Sequence, residues 1–240
     1  MFVILRAEKK NSKNMCKING LMIRLTGRLP KGHRFYCGRY HRGRAKFIYI
    51  PTHGRHVLDG KFSYKRKLEH GRYRKAEGRY ERNIKTGKWS FVRSGRNTTI
   101  RLEANFKNGA LDGDLLYTCE ERTIAGSMRT NLKMTIADGK VKGAIEGKFG
   151  KGSFSGRCDD NGQPHGTWSV VIKKLLHSND ELREVWRHGN LVYTDLQEEE
   201  KYPNPEASFF RARFNYILSE DINRLLSIAP QGSRNISLAI

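Results

Sequence analysis

The sequence has no long apolar run. Its apolar residues come in short, interrupted stretches, and none approaches the roughly 18 consecutive residues that mark a membrane helix. The opening, MFVILRAEKK, offers four apolar residues after Met1, too few for the apolar core of a secretory signal. Cysteine is sparse. The four, Cys16, Cys37, Cys119 and Cys158, include no C-x-x-C pair. With no signal for export, the expectation is a cytoplasmic protein whose thiols are reduced and metal-free.

Catalytic motifs are missing too. There is no G-x-S-x-G, no phosphate loop and no helix carrying paired histidines. Gly150-Lys151-Gly152-Ser153 lacks both the upstream glycine spacing and the following helix pattern of a phosphate loop, and reads as a hairpin turn. Glu198, Glu199 and Glu200 read as a solvated linker. His33, Cys37 and His41, with Cys16, are the one set worth weighing as metal ligands. Positions four apart in a strand lie about 13 Å from each other, so they share an ion only if a tight turn at Gly38 folds them together. No recognition helix or RNP-type motif is present. The expectation is a protein that is not an enzyme and holds no cofactor and no metal.

Acidic residues are scarce in one half only. Residues 1–110 hold 29 Lys plus Arg against 6 Asp plus Glu, a net of +23. Residues 111–240 hold 17 against 18, a net of −1, so the whole excess of +22 sits in the first half. A field of that size concentrates an anionic partner at one end of the molecule. Two stretches carry most of it, HRFYCGRYHRGRAK from His33 to Lys46 and YKRKLEHGRYRKAEGRYER from Tyr64 to Arg82. Both interleave aromatics with cations. In an extended strand Arg72 and Arg74 point to one face and Tyr73 to the other, so one face packs while the other meets phosphates. The candidate anion-binding or nucleic-acid-binding residues are Arg34, Arg39, Arg42, Arg66, Lys67, Arg72, Arg74, Lys75 and Arg79.

What the chain has in quantity is glycine, 24 residues of it, with a cadence. Asn108-Gly109 is followed four residues later by Gly113, Asp138-Gly139 by Gly143, and Asn161-Gly162 by Gly166. Asn-Gly and Asp-Gly tolerate the positive φ of a type I′ hairpin turn. Weaker copies run from His56 to Gly60 and from Asn83 to Gly87, and a degraded one occupies WRHGNLVY, ending at Tyr193. The anchors Gly60, Gly87, Gly113, Gly143 and Gly166 are 27, 26, 30 and 23 residues apart. Such a period is the mark of a repeat architecture. Two residues after the anchors come Phe62, Trp89, Leu115, Ile145 and Trp168; two further on come Tyr64, Phe91, Tyr117, Gly147 and Val170. This alternation predicts strands with one buried face. Tyr80, Phe106 and Ile136 lie seven residues before the middle anchors. Each copy therefore reads as strand, turn, strand, turn. In GKWSFVR-SGR-NT-TIRLEANF, the first segment is a strand, SGR a turn and the last segment the return strand.

Glycine-anchored hairpins carrying G-K-W, N-G-x-x-x-G and D-G-K resemble MORN-type repeats, and more closely the divergent bacterial variant found in antitoxin-like proteins. The resemblance covers roughly residues 50–195. Between Gly113 and Gly166 the spacing drifts, and Gly143, Gly147, Gly150 and Gly152 crowd together. The fold class expected is mainly β: stacked antiparallel β-hairpin repeats forming a MORN-like elongated sheet, with a C-terminal helical cap. The expected domains are a weakly ordered segment 1–20, a repeat body 21–195, and a linker and cap 196–240. In that last part, Asn204-Pro205-Glu206 reads as a helix start, with Phe210, Phe214, Ile217 and Leu218 at helical spacing. Ser219 opens a second helix, carrying Ile222, Leu225 and Leu226 to Pro230. The pair would cover the open apolar end of the stack.

The resemblance implies an antitoxin-like or scaffold protein that engages a protein partner along its sheet. The charge points to two alternatives: nucleic acid bound by residues 28–101, and docking on an anionic membrane surface. An inhibitor of a basic nuclease would carry the opposite charge, so such a nuclease is not the expected target.

Overall fold

A computed structural model describes residues 15–18, 21–24, 29–53, 55–124, 126–150, 152–173, 179–195 and 217–230. Strands β1 (Met15–Ile18) and β2 (Leu21–Arg24) pair in a small sheet of their own. That hairpin straddles the boundary at residue 20 expected from sequence. The 13 strands between Arg34 and Thr194 form one antiparallel sheet. They are β3 (Arg34–Tyr40), β4 (Gly43–Thr52), β5 (Arg55–Lys67), β6 (Tyr73–Glu81), β7 (Ile84–Ser94), β8 (Thr98–Lys107) and β9 (Ala110–Thr123). They continue as β10 (Gly126–Ala137), β11 (Lys140–Phe149), β12 (Gly152–Cys158), β13 (Gly166–Lys173), β14 (Asn179–Arg187) and β15 (Asn190–Thr194). Spatial order equals chain order throughout, with β3 and β15 at the two edges.

Alternation decides which face is buried. Phe62, Trp89, Leu115, Ile145 and Trp168 all join one core, on β5, β7, β9, β11 and β13 respectively. Tyr64, Phe91, Tyr117 and Val170 join it two residues on, and Tyr80, Phe106 and Ile136 join it from the intervening strands. The exception, Gly147, is overlain by the Phe154 ring of β12. The five anchor glycines all have positive φ, between 64° and 127°. Those on β5, β7, β9 and β11 lie where the register with the preceding strand shifts, as at Glu77/Arg79 and Ala104/Phe106. An L-residue would be strained there, and the bulge twists the strand.

The hairpin turns follow the expectation in part. Asn108-Gly109 and Asp138-Gly139 both have positive φ, as a type I′ turn demands. So do His41-Arg42, Arg82-Asn83 and His188-Gly189, pairs with little or no glycine. The turn expected at Asn161-Gly162 is instead a longer loop. The Asp159 carboxylate accepts from the N–H groups of Asn161 and Gln163, each at 2.9 Å, and so organises residues 159–165. Successive turns also dock on the hairpin before. Asn83 N–H donates to Leu58 O at 2.7 Å, Gly109 N–H to Lys85 O at 3.1 Å, and Gly189 N–H to Pro164 O at 2.9 Å.

His41 and Arg42 hold φ of 40° and 62° without being glycine. That conformation costs a β-carbon-bearing residue about 1 kcal/mol or more. Replacing Arg42 with Gly is expected to stabilise the protein by about 1 kcal/mol, read as a rise in the urea midpoint at unchanged slope. A fall in the midpoint would contradict the turn geometry.

The C-terminal segment departs from expectation in position. Ile217–Ile222 forms a π-helical turn that runs into α1 (Asn223–Leu226), so one short helix is present where a longer one was expected. Of the first helix expected, from Asn204 through Phe210, Phe214, Ile217 and Leu218, residues 204–216 lie outside the described residues, and Ile217 and Leu218 belong to the π-helical turn. Ile217, Ile222, Leu225, Leu226 and Ala229 are buried in the same core as the sheet aromatics. Tyr80 Oη donates to Pro230 O at 2.6 Å, and Tyr117 Oη to Asp221 Oδ2 at 2.7 Å. Residues 217–230 thus lie over β6, β7 and β9, in the middle of the apolar face rather than at an open end. The reason is local: those strands supply the largest apolar side chains and two phenols that need partners. No helix among the described residues is long and apolar enough to cross a membrane.

Candidate anion-binding face

The pairing register sorts the basic residues onto two faces. On the polar face, Arg39 of β3 sits opposite Arg44 of β4, Arg44 opposite Lys65 of β5, and Lys65 opposite Lys75 of β6. The line continues through Val92 of β7 to Arg101 of β8. Neighbouring strands lie about 4.8 Å apart, so the four cations from Arg39 to Lys75 span about 14 Å at right angles to the strands. Like charges directly opposite one another destabilise a sheet.

Few carboxylates offset the row. Lys75 Nζ lies 2.6 Å from Glu77, and Arg101 lies 3.9 Å from Glu120. Lys65 stands over the Tyr73 ring, 5.0 Å from its centroid. Arg39 and Arg44, both exposed, make no ion pair with any described residue.

The nine residues expected from sequence do not form one site. Arg39 and Lys75 belong to the row. Lys67 ends β5 opposite Tyr73, one position along the same face. Arg79 is exposed on that face of β6, opposite Lys61. Arg34 opens the edge strand, exposed and opposite Tyr49. Arg42 occupies the β3–β4 turn. Arg72 precedes β6 and donates through Nε to Glu69 O at 3.0 Å.

Arg66 and Arg74 lie on the other face. They share the parity of Phe62, Tyr64 and Ala76, so Arg74 of β6 faces the core side and Tyr73 faces out, which reverses the assignment of faces expected from sequence. Sequence reading missed Arg44, Lys65 and Arg101. Only the register, not composition, places them beside Arg39 and Lys75.

Among the described residues, His33, Cys37 and His41 do not come together as a metal-binding group. His33 Nε2 lies 2.8 Å from Asp59 Oδ2, a bond that raises the imidazole pKa. No group of three metal-binding side chains occurs among the described residues. Cys119 and Cys158 are buried, which pushes their thiols up to about 11 and about 12.

No protein-family model matches the chain, and no curated protein matches it.

Proposed function

We propose that this is a non-catalytic binding protein that takes up the phosphate backbone of a nucleic acid across strands β3–β6 of its polar face. The observation that carries the reading is the cation row Arg39–Arg44–Lys65–Lys75. Its mutual repulsion costs stability in the free protein. A line of phosphates relieves that cost and releases counterions. The row crosses the strands, so an extended polyanion follows it from one hairpin to the next.

The same reading treats the sheet as hairpin repeats of MORN type. Five positive-φ glycines on alternate strands, each two residues before a buried apolar side chain, support that view. A scaffold or antitoxin-like role would use the same basic end on an acidic protein.

Fluorescence polarisation of labelled single-stranded RNA and DNA across a salt series tests the proposal. Affinity is expected to fall with salt at a log–log slope of about −0.7 per phosphate contact. The triple variant Arg39→Gln, Arg44→Gln, Lys65→Gln is expected to weaken binding to all sequences alike and to flatten the slope by about two. Folding stability should stay level or rise slightly, because the variant removes repulsion between exposed like charges. An unchanged slope would remove this row from the interface. Binding to anionic vesicles alone would favour a membrane surface, and no binding to either would favour an acidic protein.

A further inference from the structure

A second set of arginines sits on the apolar face. Arg66 of β5 lies directly opposite Arg74 of β6, and Arg74 directly opposite Arg93 of β7. Opposed Cα atoms in such a ladder are about 5 Å apart, so three guanidiniums share roughly 10 Å. The next strand contributes Ile100, in register with Arg93, so nothing there offsets the charge. None of the three forms an ion pair with a described residue. All three are half-buried. Arg74 Nε is shut off from solvent and has no hydrogen-bond partner. A buried, unpaired guanidinium N–H is costly, and three facing cations add repulsion.

The surroundings have the makings of a ligand site. Tyr64 closes one end of the row, its hydroxyl donating to His41 O at 3.0 Å. Arg66 and Arg74 are close enough to oppose the burial that raises this phenol's pKa. At the other end Arg93 opens onto a cavity of about 290 Å³ beneath the π-helical turn. Its walls include Thr98, Tyr117, Glu121, Asp221 and Arg224. The row is thus purely cationic at Arg66 and Arg74, and the cavity beyond Arg93 has both donors and acceptors.

We infer that Arg66, Arg74 and Arg93 form a site for the oligophosphate group of a small soluble molecule, whose remaining part enters the cavity beyond Arg93. Guanidinium forks match phosphate oxygens two at a time, and a diphosphate carries enough negative charge to neutralise the row. The half-burial of all three side chains selects a small ligand over a polymer. The site lies on the opposite face from the Arg39–Lys75 row and stands independently of the function proposed for that row.

Calorimetric titration with inorganic pyrophosphate, alongside thermal unfolding, tests the assignment. Wild-type protein is expected to bind pyrophosphate and to unfold at higher temperature in its presence. Arg74→Met keeps the apolar stem and removes the charge. It should unfold at the same or higher temperature than wild type without ligand, and bind pyrophosphate at least tenfold more weakly. Lys148→Gln, exposed on β11 and outside both cation sets, should leave pyrophosphate binding unchanged. Equal affinity in wild type and Arg74→Met overturns the proposal. So does the absence of wild-type binding at millimolar pyrophosphate, and so does binding confined to vesicles containing phosphatidic acid. Arg74→Met reads this site and the Arg39, Arg44 and Lys65 triple variant reads the polar face, so failure here is distinguishable from failure of the nucleic-acid reading.

Discussion

Gly156→Ala is expected to destabilise the protein by about 3 kcal/mol, and Gly78→Ala by a similar amount. Neither glycine has positive φ, so the requirement is for space. A β-carbon on Gly156 would lie 2.2 Å from Trp168 Cδ2, and one on Gly78 would lie 2.1 Å from Trp89 Cδ2. Both indoles are fully buried. Each also donates Nε1–H to a carbonyl on the glycine's own strand, Trp89 to Arg79 O at 3.2 Å and Trp168 to Arg157 O at 3.1 Å. A methyl group would push the ring off its strand and break that bond. The loss combines overpacking with a stranded buried donor. Urea unfolding measures it. A change under about 1 kcal/mol would mean that the indoles do not rest on these glycines. A double-mutant cycle sharpens the test: with Trp168→Leu, the further effect of Gly156→Ala should shrink by well over half.

Lys85→Met should have the opposite sign, raising stability at pH 7 by about 2 kcal/mol. Lys85 is 3% exposed. Its Nζ lies 5.4, 5.6 and 5.5 Å from the ring centroids of Trp89, Phe91 and Phe106. The ammonium has three N–H donors, and it reaches one acceptor, Leu226 O, at 3.4 Å. The three rings favour the charged form, by about 2 kcal/mol at most. Burial disfavours it more strongly and lowers the pKa to about 8. In the unfolded chain the value returns to about 10.5.

The unfolded state therefore binds more protons between pH 8 and 10.5, so the Lys85 contribution to stability rises across that window. Below pH 8 both states are protonated and the contribution is flat at its lowest. The full rise is about 3 kcal/mol, since one pKa unit is worth 1.36 kcal/mol. Burial also raises the pKa of Tyr80, Tyr117, Cys119 and Cys158. Those groups lose stability as pH climbs through the alkaline range, so the quantity to plot is wild type minus variant. The variant's advantage should shrink from pH 8 to 10.5. An advantage that stays constant would show that folding does not shift the Lys85 pKa.

The parts of the fold legible in sequence are those that local chemistry dictates. Asn108-Gly109 and Asp138-Gly139 announce their turns because their residue types tolerate positive φ. Trp89, Leu115 and Ile145 announce a buried face by period-two spacing. His41-Arg42 and Arg82-Asn83 make the same kind of turn without glycine, because neighbouring strand pairs hold them in it. Asp159 replaces an expected tight turn by accepting two backbone bonds, which Asn161-Gly162 alone does not reveal.

The candidate binding face was less legible. Composition located the basic half, but a cation's neighbour across a strand depends on register. One bulge at Gly60 or Gly87 resets that register for all residues beyond it. Arg74 and Lys75 are neighbours in sequence and stand on opposite faces by alternation, and the register then sets Arg66 beside Arg74 and Lys65 beside Lys75.

The placement of residues 217–230 also bears on how the chain folds. Each strand from β4 to β15 pairs with the one made just before it, so the sheet can grow hairpin by hairpin at small loop-closure cost. The bonds that close over its apolar face are of another kind: Tyr117 to Asp221, Lys85 to Leu226 and Tyr80 to Pro230 join residues 104, 141 and 150 positions apart. During translation β6 to β9 are complete long before their cover leaves the ribosome, and until then Trp89, Phe91 and Phe106 face water. The nascent chain is thus most aggregation-prone in the interval between the synthesis of β9 and that of Ile217, and this is where chaperone protection would matter most.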